Sequence, residues 1–271
     1  MKTALITGAT SGIGSALAES LAGQGWRILV HGRDPNKTAQ SQNRCGSDAE
    51  SFVADLSLLS ETRRLASEVQ ASHQRLDALV LNAGAIARKR EITSEGLEAM
   101  FVINHLSAFV LASELHPLIP EGGHLLSVST EAHRWIKRID PENLQAEKRF
   151  KVLKHYAATK AANLISMLEL ANRYSGRGLH ITAHHPGEVA TRFGLDGPLW
   201  LRLFWKLSSR RFISSEQAAE PLAKFLTDPS SNPQSGYFNR GTKAHPADYI
   251  SDPEQKNSVI AITERALGSH R

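Results

Sequence analysis

The residues of this sequence that indicate acid–base chemistry are a tyrosine and a lysine four positions apart, Tyr156 and Lys160. In a helix, residues at this spacing share one face. A phenol with a pKa of about 10 is a poor base at neutral pH, but a nearby cation stabilises the phenolate and lowers that pKa. The pair therefore predicts a tyrosine that gives or takes a proton, beside a hydroxyl that holds the substrate oxygen. Taken alone, a packed tyrosine and a surface lysine on an amphipathic helix explain the pair better.

The elements that would position this pair begin with a glycine-rich turn near the N-terminus. A strand is predicted over 3–7 and a helix over 15–23, with Gly8, Gly12 and Gly14 between them. Gly8 permits a tight turn, Gly12 lets the backbone approach a pyrophosphate, and Gly14 permits close packing of helix on sheet. The helix N-terminus offers unpaired N–H groups to phosphates. We expect the intervening residues to line the same cradle, namely Thr10, Ser11 and Ile13. An ordinary glycine-rich turn is the alternative.

The second strand, predicted over 27–30, ends where the adenosine ribose of a dinucleotide is expected. An acidic residue at Gly32 would bond both ribose hydroxyls and reject a 2′-phosphate. Glycine stands there instead, and the guanidinium of Arg33 is suited to bidentate binding of that phosphate. We therefore expect NADP(H) rather than NAD(H). Asp34 argues against this preference because it could neutralise Arg33 or bond the ribose itself.

Two further predicted strands also end in polar or small residues. The strand over 51–54 is followed by Asp55 and Leu56, and the strand over 77–81 is followed by Asn82, Ala83 and Gly84. Ligands of open α/β sheets lie beyond the carboxyl ends of the strands. We therefore expect Asp55 near the adenine and residues 82–84 beside the cofactor ribose. Each group alone is an ordinary turn, but together the strand ends describe one groove.

These motifs together resemble the short-chain dehydrogenases/reductases, over essentially the full length of the chain. The family's glycine motif matches Gly8, Gly12 and Gly14, and its Asn-Ala-Gly matches residues 82–84. The resemblance implies a catalytic tetrad of Asn, Ser, Tyr and Lys, which falls on Asn104, Thr130, Tyr156 and Lys160. It implies a water-linked proton path at Asn104 and a bond from Lys160 to the nicotinamide ribose. It also implies nicotinamide contacts after a late strand, at Pro186, Gly187, Val189 and Thr191.

One position departs from the family pattern. A second serine usually ends the strand predicted over 125–128, and this chain has Thr130 there. Threonine keeps the hydroxyl, while its extra methyl narrows the site and stiffens the side chain. Alternation along a strand sends neighbouring hydroxyls to opposite faces. Thr130 is therefore favoured, and Ser129 is the alternative if the register differs by one residue.

Other segments resemble one branch of the family, the retinol-dehydrogenase-like proteins and carbonyl reductases. They are residues 128–134, 104–106 and 236–238. The resemblance implies a carbonyl or a secondary alcohol as the reacting group. It also places a substrate lid around 192–213, where Trp and Leu alternate with Arg and Lys. An apolar inner face of such a lid favours a fairly hydrophobic small molecule.

The lid segment has two other interpretations. Residues 198–212 have the composition of a helix that lies on a membrane surface. They are also compatible with a helix packed on the domain or on a partner subunit. A homodimer and a homotetramer both stay open.

Composition narrows the class of protein. The 271 residues are 41% hydrophobic, with neither a linker-like stretch nor a run of about 18 apolar residues. We therefore expect one domain over 1–271 and no membrane span. The single cysteine, Cys45, and the apolar strand directly after Met1 favour a cytoplasmic location. The net charge of +5 comes from scattered residues, which does not indicate nucleic acid. The twelve histidines lack metal-ligand spacing, so no metal is predicted, and most are expected at the surface or beside the cofactor.

The predicted fold is α/β, a single Rossmann-like domain with a doubly wound parallel sheet of about six or seven strands and helices on both faces. The predicted activity is NADP(H)-dependent hydride transfer to or from a carbonyl or secondary alcohol. An epimerase, a dehydratase or an enzyme acting on a C=C bond is the alternative on the same scaffold. A non-catalytic dinucleotide-binding regulator is the alternative from another class. A regulator would be expected to lack Tyr156 or Lys160, and both are present.

Overall fold

The computed structural model describes residues 1–189, 213–228 and 235–268. Thr191 and almost all of the predicted lid lie outside the described residues. The sheet has eight strands in the order β3-β2-β1-β4-β5-β6-β7-β8, and all pairs are parallel except β7 with β8. The strands are β1 (Thr3–Ile6), β2 (Arg27–Gly32), β3 (Glu50–Val53), β4 (Ala78–Leu81), β5 (His124–Val128), β6 (His180–His185), β7 (Gly236–Asn239) and β8 (Thr242–Lys243).

Helices cover both faces of this sheet. They are α1 (Gly12–Ala22), α2 (Pro35–Cys45), α3 (Leu59–Ser72), α4 (Ala99–Phe101), α5 (Ser107–Leu115), α6 (Val152–Arg173), α7 (Ser215–Thr227) and α8 (Pro253–Gly268). Leu5 and Leu29 pack into the core with α3 and α5, while Ile6 and Val30 pack into the core with α1 and α7. Apolar residues on both faces of the strands are typical of a buried parallel sheet. The predicted doubly wound α/β fold is confirmed, with a two-residue antiparallel strand added at one edge.

The strand order places the site. β1 lies between β2 and β4, so the connections run outward in opposite directions from this point. Open α/β sheets bind ligands in the crevice at such a switch point, beyond the carboxyl ends of the strands. The glycine turn after β1 and the loops after β4 and β5 therefore meet at one edge of the sheet.

One helical stretch in the described part of the chain, 99–118, is long and apolar enough to cross a membrane by length and composition. This stretch contains α4 and α5, and 72% of its most apolar window is buried against the rest of the protein. A core helix passes the same test, so the stretch is weak evidence for a membrane span.

Few of the histidines lie at the surface. Seven of the twelve are buried, and one of them, His31, bonds the Gly8 N–H of the glycine turn. His184 stacks on Phe238 with ring centroids 4.8 Å apart, and the His105 ring lies 2.7 Å from the Thr263 hydroxyl. Burial lowers the pKa of His105 and of His184 to about 3. In these places imidazole serves as a packing ring that stays neutral.

Candidate active site

The predicted tyrosine and lysine lie on one face of α6, close to its N-terminus. Both are buried, with Tyr156 8% and Lys160 7% exposed. The Thr130 hydroxyl hydrogen-bonds the Tyr156 phenol, and the Lys160 ammonium donates to the Val128 carbonyl at 2.6 Å. Val128 is the last residue of β5 and Thr130 lies two residues further on. The end of β5 and the first turns of α6 thus bring the three groups together, with Thr130 rather than Ser129 against the phenol.

Burial sets the protonation state of this pair. It raises the pKa of the Tyr156 phenol well above its ordinary value, an effect that the hydrogen bond from Thr130 opposes. Burial also lowers the pKa of the Lys160 ammonium to about 8. The sequence predicts the opposite direction for Tyr156, since a cation on the same face lowers a phenol's pKa. In the structure the ammonium is bound to a carbonyl, and the loss of solvent outweighs its charge. The phenol is therefore neutral and a proton donor at neutral pH.

Asn104 lies in a π-helical turn, Val102–Leu106, that joins α4 to α5. Its side-chain oxygen accepts from the Ala85 N–H at 2.8 Å, and its amide donates to the Ala85 carbonyl at 3.0 Å and the Thr159 hydroxyl at 3.1 Å. Thr159 precedes Lys160 in α6. Asn104 therefore ties the loop after β4 to the helix that carries the tyrosine and the lysine. Single π turns inside helices are frequent at functional sites.

The glycine turn has the geometry of a close backbone approach. Gly8 and Gly12 have φ angles of +64° and +58°, in the left-handed region that favours glycine. A Cβ on Gly14 would lie 2.4 Å from Asn82 Nδ2 and 2.5 Å from the Gly8 carbonyl oxygen. Ser11 is the N-cap of α1 but makes no side-chain cap, so its hydroxyl does not occupy the N–H groups of the first helical turn. A helix N-terminus of this kind fits a phosphate group.

Two residues that support this turn are missing from the sequence-based site. The Thr7 hydroxyl accepts from the N–H groups of Asn82 and Ala83, at 2.9 and 3.0 Å. His31 Nδ1 accepts from the Gly8 N–H at 3.2 Å, and its Nε2 donates to the Ala54 carbonyl at 3.1 Å. These partners require a neutral imidazole, in agreement with the pKa of about 4 that burial gives His31. A histidine within an apolar strand is the sequence signal that could have identified it.

The predicted adenosine end of the groove has no room for an acidic residue at Gly32. A Cβ there would lie 2.3 Å from Thr10 Cγ2 and 2.5 Å from the Thr38 hydroxyl oxygen. Arg33 is exposed. Asp34 instead caps α2, because its carboxylate accepts from the N–H groups of Asn36 and Lys37 at 2.9 and 3.1 Å. The Asp34 carboxylate, on which the argument against NADP(H) depends, therefore binds N–H groups of its own helix.

The other predicted contact residues surround the same edge. Asp55 accepts from the Ser57 N–H at 2.9 Å, and Leu56 is buried. Asn82 donates to the carbonyls of Thr7 and Gly8, at 2.9 and 3.2 Å. Pro186 follows β6, Gly187 has a φ of +110°, and Val189 pairs with Ile213 in an isolated bridge. These residues follow the carboxyl ends of β3, β4 and β6, at the same edge of the sheet as the glycine turn.

A buried pair that no local sequence pattern indicates links α4 to α6. Glu98 is the N-cap of α4, and its carboxylate accepts from the Phe101 N–H at 2.7 Å. The same carboxylate oxygen lies 2.7 Å from Nε2 of His155, the residue before Tyr156. Both side chains are buried. This contact fixes the start of the helical stretch that holds Asn104 against the start of α6.

The loop after Thr130 is held by residues far along the chain. The Tyr237 hydroxyl donates to the Glu131 carboxylate, and the Tyr249 hydroxyl donates to the His133 carbonyl at 2.5 Å. Arg134 donates to the carbonyl of His245, also at 2.5 Å. These contacts fix the short helix Glu131–Trp135 and with it the position of the Thr130 hydroxyl.

Metal or thiol chemistry finds no support in the described ranges. They contain no group of three His, Cys, Asp or Glu side chains that could hold a metal ion. Burial, together with the charge of Glu19, raises the pKa of the Cys45 thiol to about 11. A thiol with that pKa is protonated at neutral pH and is a poor nucleophile.

Comparison with known proteins decides the family. Residues 2–196 match the short chain dehydrogenase family. The protein belongs to this family. A Streptomyces sp. (strain C5) protein assigned as the daunorubicin C-13 ketoreductase DnrU is 36% identical over 198 residues, which cover 71% of this chain and 68% of that protein. Retinol dehydrogenase 12 of Mus musculus is 32% identical over 246 residues, 88% of this chain and 77% of that protein. The predicted family and its likeness to retinol dehydrogenases are confirmed.

Solved structures agree with this assignment. A protein of Mycobacterium paratuberculosis has a TM-score of 0.79 and 26% identity, over 99% of this chain and 94% of its own. The angucycline C-6 ketoreductase LanV, solved with bound NADP, has a TM-score of 0.70 and 21% identity, over 93% and 96% of the two chains. The second likeness shows the fold alone. This short-chain dehydrogenase is an enzyme that acts on C=O or CH–OH groups with NAD(P).

Proposed function

We propose that this enzyme is an NADP(H)-dependent carbonyl reductase for fairly hydrophobic small molecules. The observation that carries the proposal is the hydrogen bond between Thr130 and Tyr156, on the face of α6 that also holds Lys160. This contact lies at the edge of the sheet where the glycine turn also lies. A phenol whose pKa is raised by burial keeps its proton at neutral pH, so it has a proton to give. Reduction needs a donor, since the substrate oxygen gains a proton as the carbonyl carbon gains a hydride.

In this mechanism Thr130 holds the substrate oxygen and Tyr156 gives it a proton. A bound nicotinamide supplies the hydride. The Lys160 ammonium, buried and hydrogen-bonded to Val128, favours a negative charge on the phenol as the proton leaves, and it would bond the nicotinamide ribose. Asn104 would help to hold a water-linked proton path. Its side chain, bonded to Ala85 and Thr159, keeps that path next to α6.

The cofactor groove would be formed by the strand ends. The turn containing Gly8, Gly12 and Gly14, with Thr10, Ser11 and Ile13, would receive the pyrophosphate at the N-terminus of α1. Asp55, Leu56 and residues 82–84 would border the adenosine and the ribose. Pro186, Gly187, Val189 and Thr191 would reach the nicotinamide.

The preference for NADP(H) is supported by the surroundings of β2. Arg33 is exposed at the strand end, and Asp34 is engaged in capping α2. No acidic side chain fits at Gly32, where one would reject a 2′-phosphate. A guanidinium binds a phosphate dianion in a bidentate way, so Arg33 would make the contact that distinguishes the two cofactors.

A hydrophobic substrate is supported by the surroundings of Tyr156. The phenol packs in an apolar cluster with Ile86, Met100 and Ala132, and partly buried Phe150 and Leu153 lie against it. The ketoreductase and retinol dehydrogenase relatives agree with an apolar substrate by their names. We place the enzyme in the cytoplasm, where a single free thiol such as Cys45 stays reduced.

The test combines binding and turnover. NADPH fluorescence is titrated with the protein, and NADPH oxidation is then followed with a panel of aromatic and aliphatic ketones and aldehydes. We expect saturable binding, with oxidation that depends on the carbonyl compound and is faster with NADPH than with NADH. Binding of NADPH without turnover of any panel member would support a dinucleotide-binding regulator instead.

A further inference from the structure

Three contacts join the start of α6 to the helical stretch that carries Asn104. They follow the same order along both segments: Glu98 with His155, Met100 with Tyr156, and Asn104 with Thr159. The first and the third are polar, at 2.7 and 3.1 Å, and the second is a shared apolar cluster. The Thr159 hydroxyl also donates to the Tyr156 carbonyl at 3.0 Å. Tyr156 is therefore held against the stretch 98–104 by contacts that precede and follow it along the chain.

The Glu98 side chain joins two helices through one oxygen. Its Oε2 atom accepts from the Phe101 N–H at 2.7 Å and lies 2.7 Å from His155 Nε2. Glu98 is 0% exposed, and its Oε1 atom has no hydrogen-bond partner among the described residues. Burying an unpartnered polar atom costs stability. The shorter Ser, Thr, Asp and Asn are the usual N-caps, so the longer glutamate adds the reach to His155.

The His155 ring is also fixed on its own side. Its backbone N–H donates to the Lys151 carbonyl at 2.8 Å, within the first turn of α6. Its ring lies 5.4 Å from the Phe150 ring, and Phe150 packs against the cluster that contains Tyr156. His155 is 5% exposed. A ring confined in this way moves with the backbone of α6, so a change at Glu98 displaces the next residue, Tyr156.

We infer that Glu98 and His155 are positioning residues for carbonyl reduction. Their contact sets the separation of α4 and α6, and thereby the place of the Tyr156 phenol relative to Asn104 and to the substrate oxygen. The inference rests on the proposed function, in which Tyr156 gives a proton to that oxygen. A misplacement of about 1 Å can slow a reaction by about 100-fold, even when the substitution lies away from the chemistry.

The test changes the length of this contact and then removes it, in the full chain. Glu98→Asp keeps the charge and shortens the side chain by one C–C bond, about 1.5 Å. It therefore reaches Phe101 and His155 together only if the helices shift. Glu98→Gln keeps the length, and its amide oxygen can accept from both groups. His155→Phe keeps a ring against Phe150 and removes the polar contact.

The readouts separate positioning from folding. Single-turnover NADPH oxidation is measured with the best carbonyl substrate and expressed per NADPH-binding site, so that unfolded protein does not count. We expect Glu98→Asp and His155→Phe to lower this rate by about tenfold or more, with the NADPH Kd and the carbonyl KM within about twofold of wild type. Glu98→Gln should restore the rate to within about threefold of wild type, because it restores the length.

The matched control is Asp77→Ala, which breaks another buried carboxylate contact. Asp77 accepts from the Thr3 N–H at 2.9 Å and from Arg75 at 2.7 Å, at the amino ends of β1 and β4 and so at the opposite edge of the sheet. This variant should unfold at lower urea concentration and keep the wild-type rate per site. A control slowed as much as His155→Phe would overturn the inference, since loss of stability alone would then explain the effect.

The order of the two Glu98 variants decides between distance and charge. If Glu98→Gln is slower than Glu98→Asp, charge matters more than distance and the positioning role is wrong. This comparison also holds if His155→Phe does not fold. Wild-type rates in every variant would overturn the inference and leave the proposed function intact. If the wild type itself reduces no carbonyl compound, the proposed function fails and the inference fails with it.

Discussion

Acidification to about pH 5.5 should destabilise this fold by about 4 kcal/mol, because buried histidines are kept neutral in it. Burial lowers the pKa of His31 to about 4, and those of His105 and His184 to about 3. In the unfolded chain the same groups take up protons at a pKa of about 6.5. The folded-state pKa values are depressed, so the stability is complete above about pH 6.5 and is lost as the pH falls from there toward the folded values.

The magnitude follows from the proton uptake of the unfolded state. At about pH 5.5, roughly one unit below the unfolded pKa, the protonated form of each unfolded imidazole outnumbers the neutral form about tenfold. This proton uptake favours unfolding by about 1.4 kcal/mol per histidine. Three such groups give about 4 kcal/mol, a large part of the roughly 5–15 kcal/mol by which domains are stable. The less deeply buried His124 and His185 have lowered pKa values of about 4 and act in the same direction.

Urea unfolding followed by circular dichroism at about pH 7.5 and 5.5 measures this loss. His184→Phe gives the sharpest comparison. The His184 ring lies between Phe225 and Phe238, at centroid distances of 4.3 and 4.8 Å, and neither ring nitrogen has a hydrogen-bond partner. Phenylalanine keeps this packing, so the variant should lose about 1.4 kcal/mol less on acidification. The exposed control His245→Gln should lose as much as wild type. An acid loss in His184→Phe equal to that of wild type would refute the reasoning.

Three further predictions concern the cofactor groove and the helices around it. Arg33→Ala should raise the Kd for NADPH by about tenfold or more and leave that for NADH nearly unchanged, by fluorescence titration; equal weakening of both would overturn the cofactor preference. Gly14→Ala should weaken both cofactors, since its Cβ would lie 2.4 Å from Asn82 Nδ2; wild-type Kd values would contradict this geometry. Glu98→Ala should lower the free energy of unfolding by roughly 3 kcal/mol, because it leaves the buried His155 imidazole without its partner; a loss below about 1 kcal/mol would show that the pair contributes little.

What the sequence predicts well is local. The glycine turn and the placement of Tyr156 and Lys160 on one helix depend on spacings within one turn or one helix, and the structure has both. The contacts that hold the site are long-range. His31 supports Gly8 across 23 positions, and Tyr237 reaches Glu131 across 106. Such partners follow from the packing of whole elements, which no local pattern contains.

The pKa of Tyr156 shows the same limit. The sequence shows only the neighbouring Lys160, and its charge predicts a lowered pKa for Tyr156. Burial of the phenol acts in the other direction and is stronger. Burial depends on the cluster of Ile86, Met100 and Ala132 around the ring, which comes from three separate segments of the chain.

The central claim is that Tyr156 donates the proton during carbonyl reduction. The measurement that tests it most directly is single-turnover NADPH oxidation by Tyr156→Phe with the best carbonyl substrate, together with the Kd for NADPH. Phenylalanine keeps the ring in its apolar cluster and removes only the hydroxyl. We predict a rate lower by about 100-fold or more, with an NADPH Kd close to that of wild type. A wild-type rate in this variant would contradict the claim.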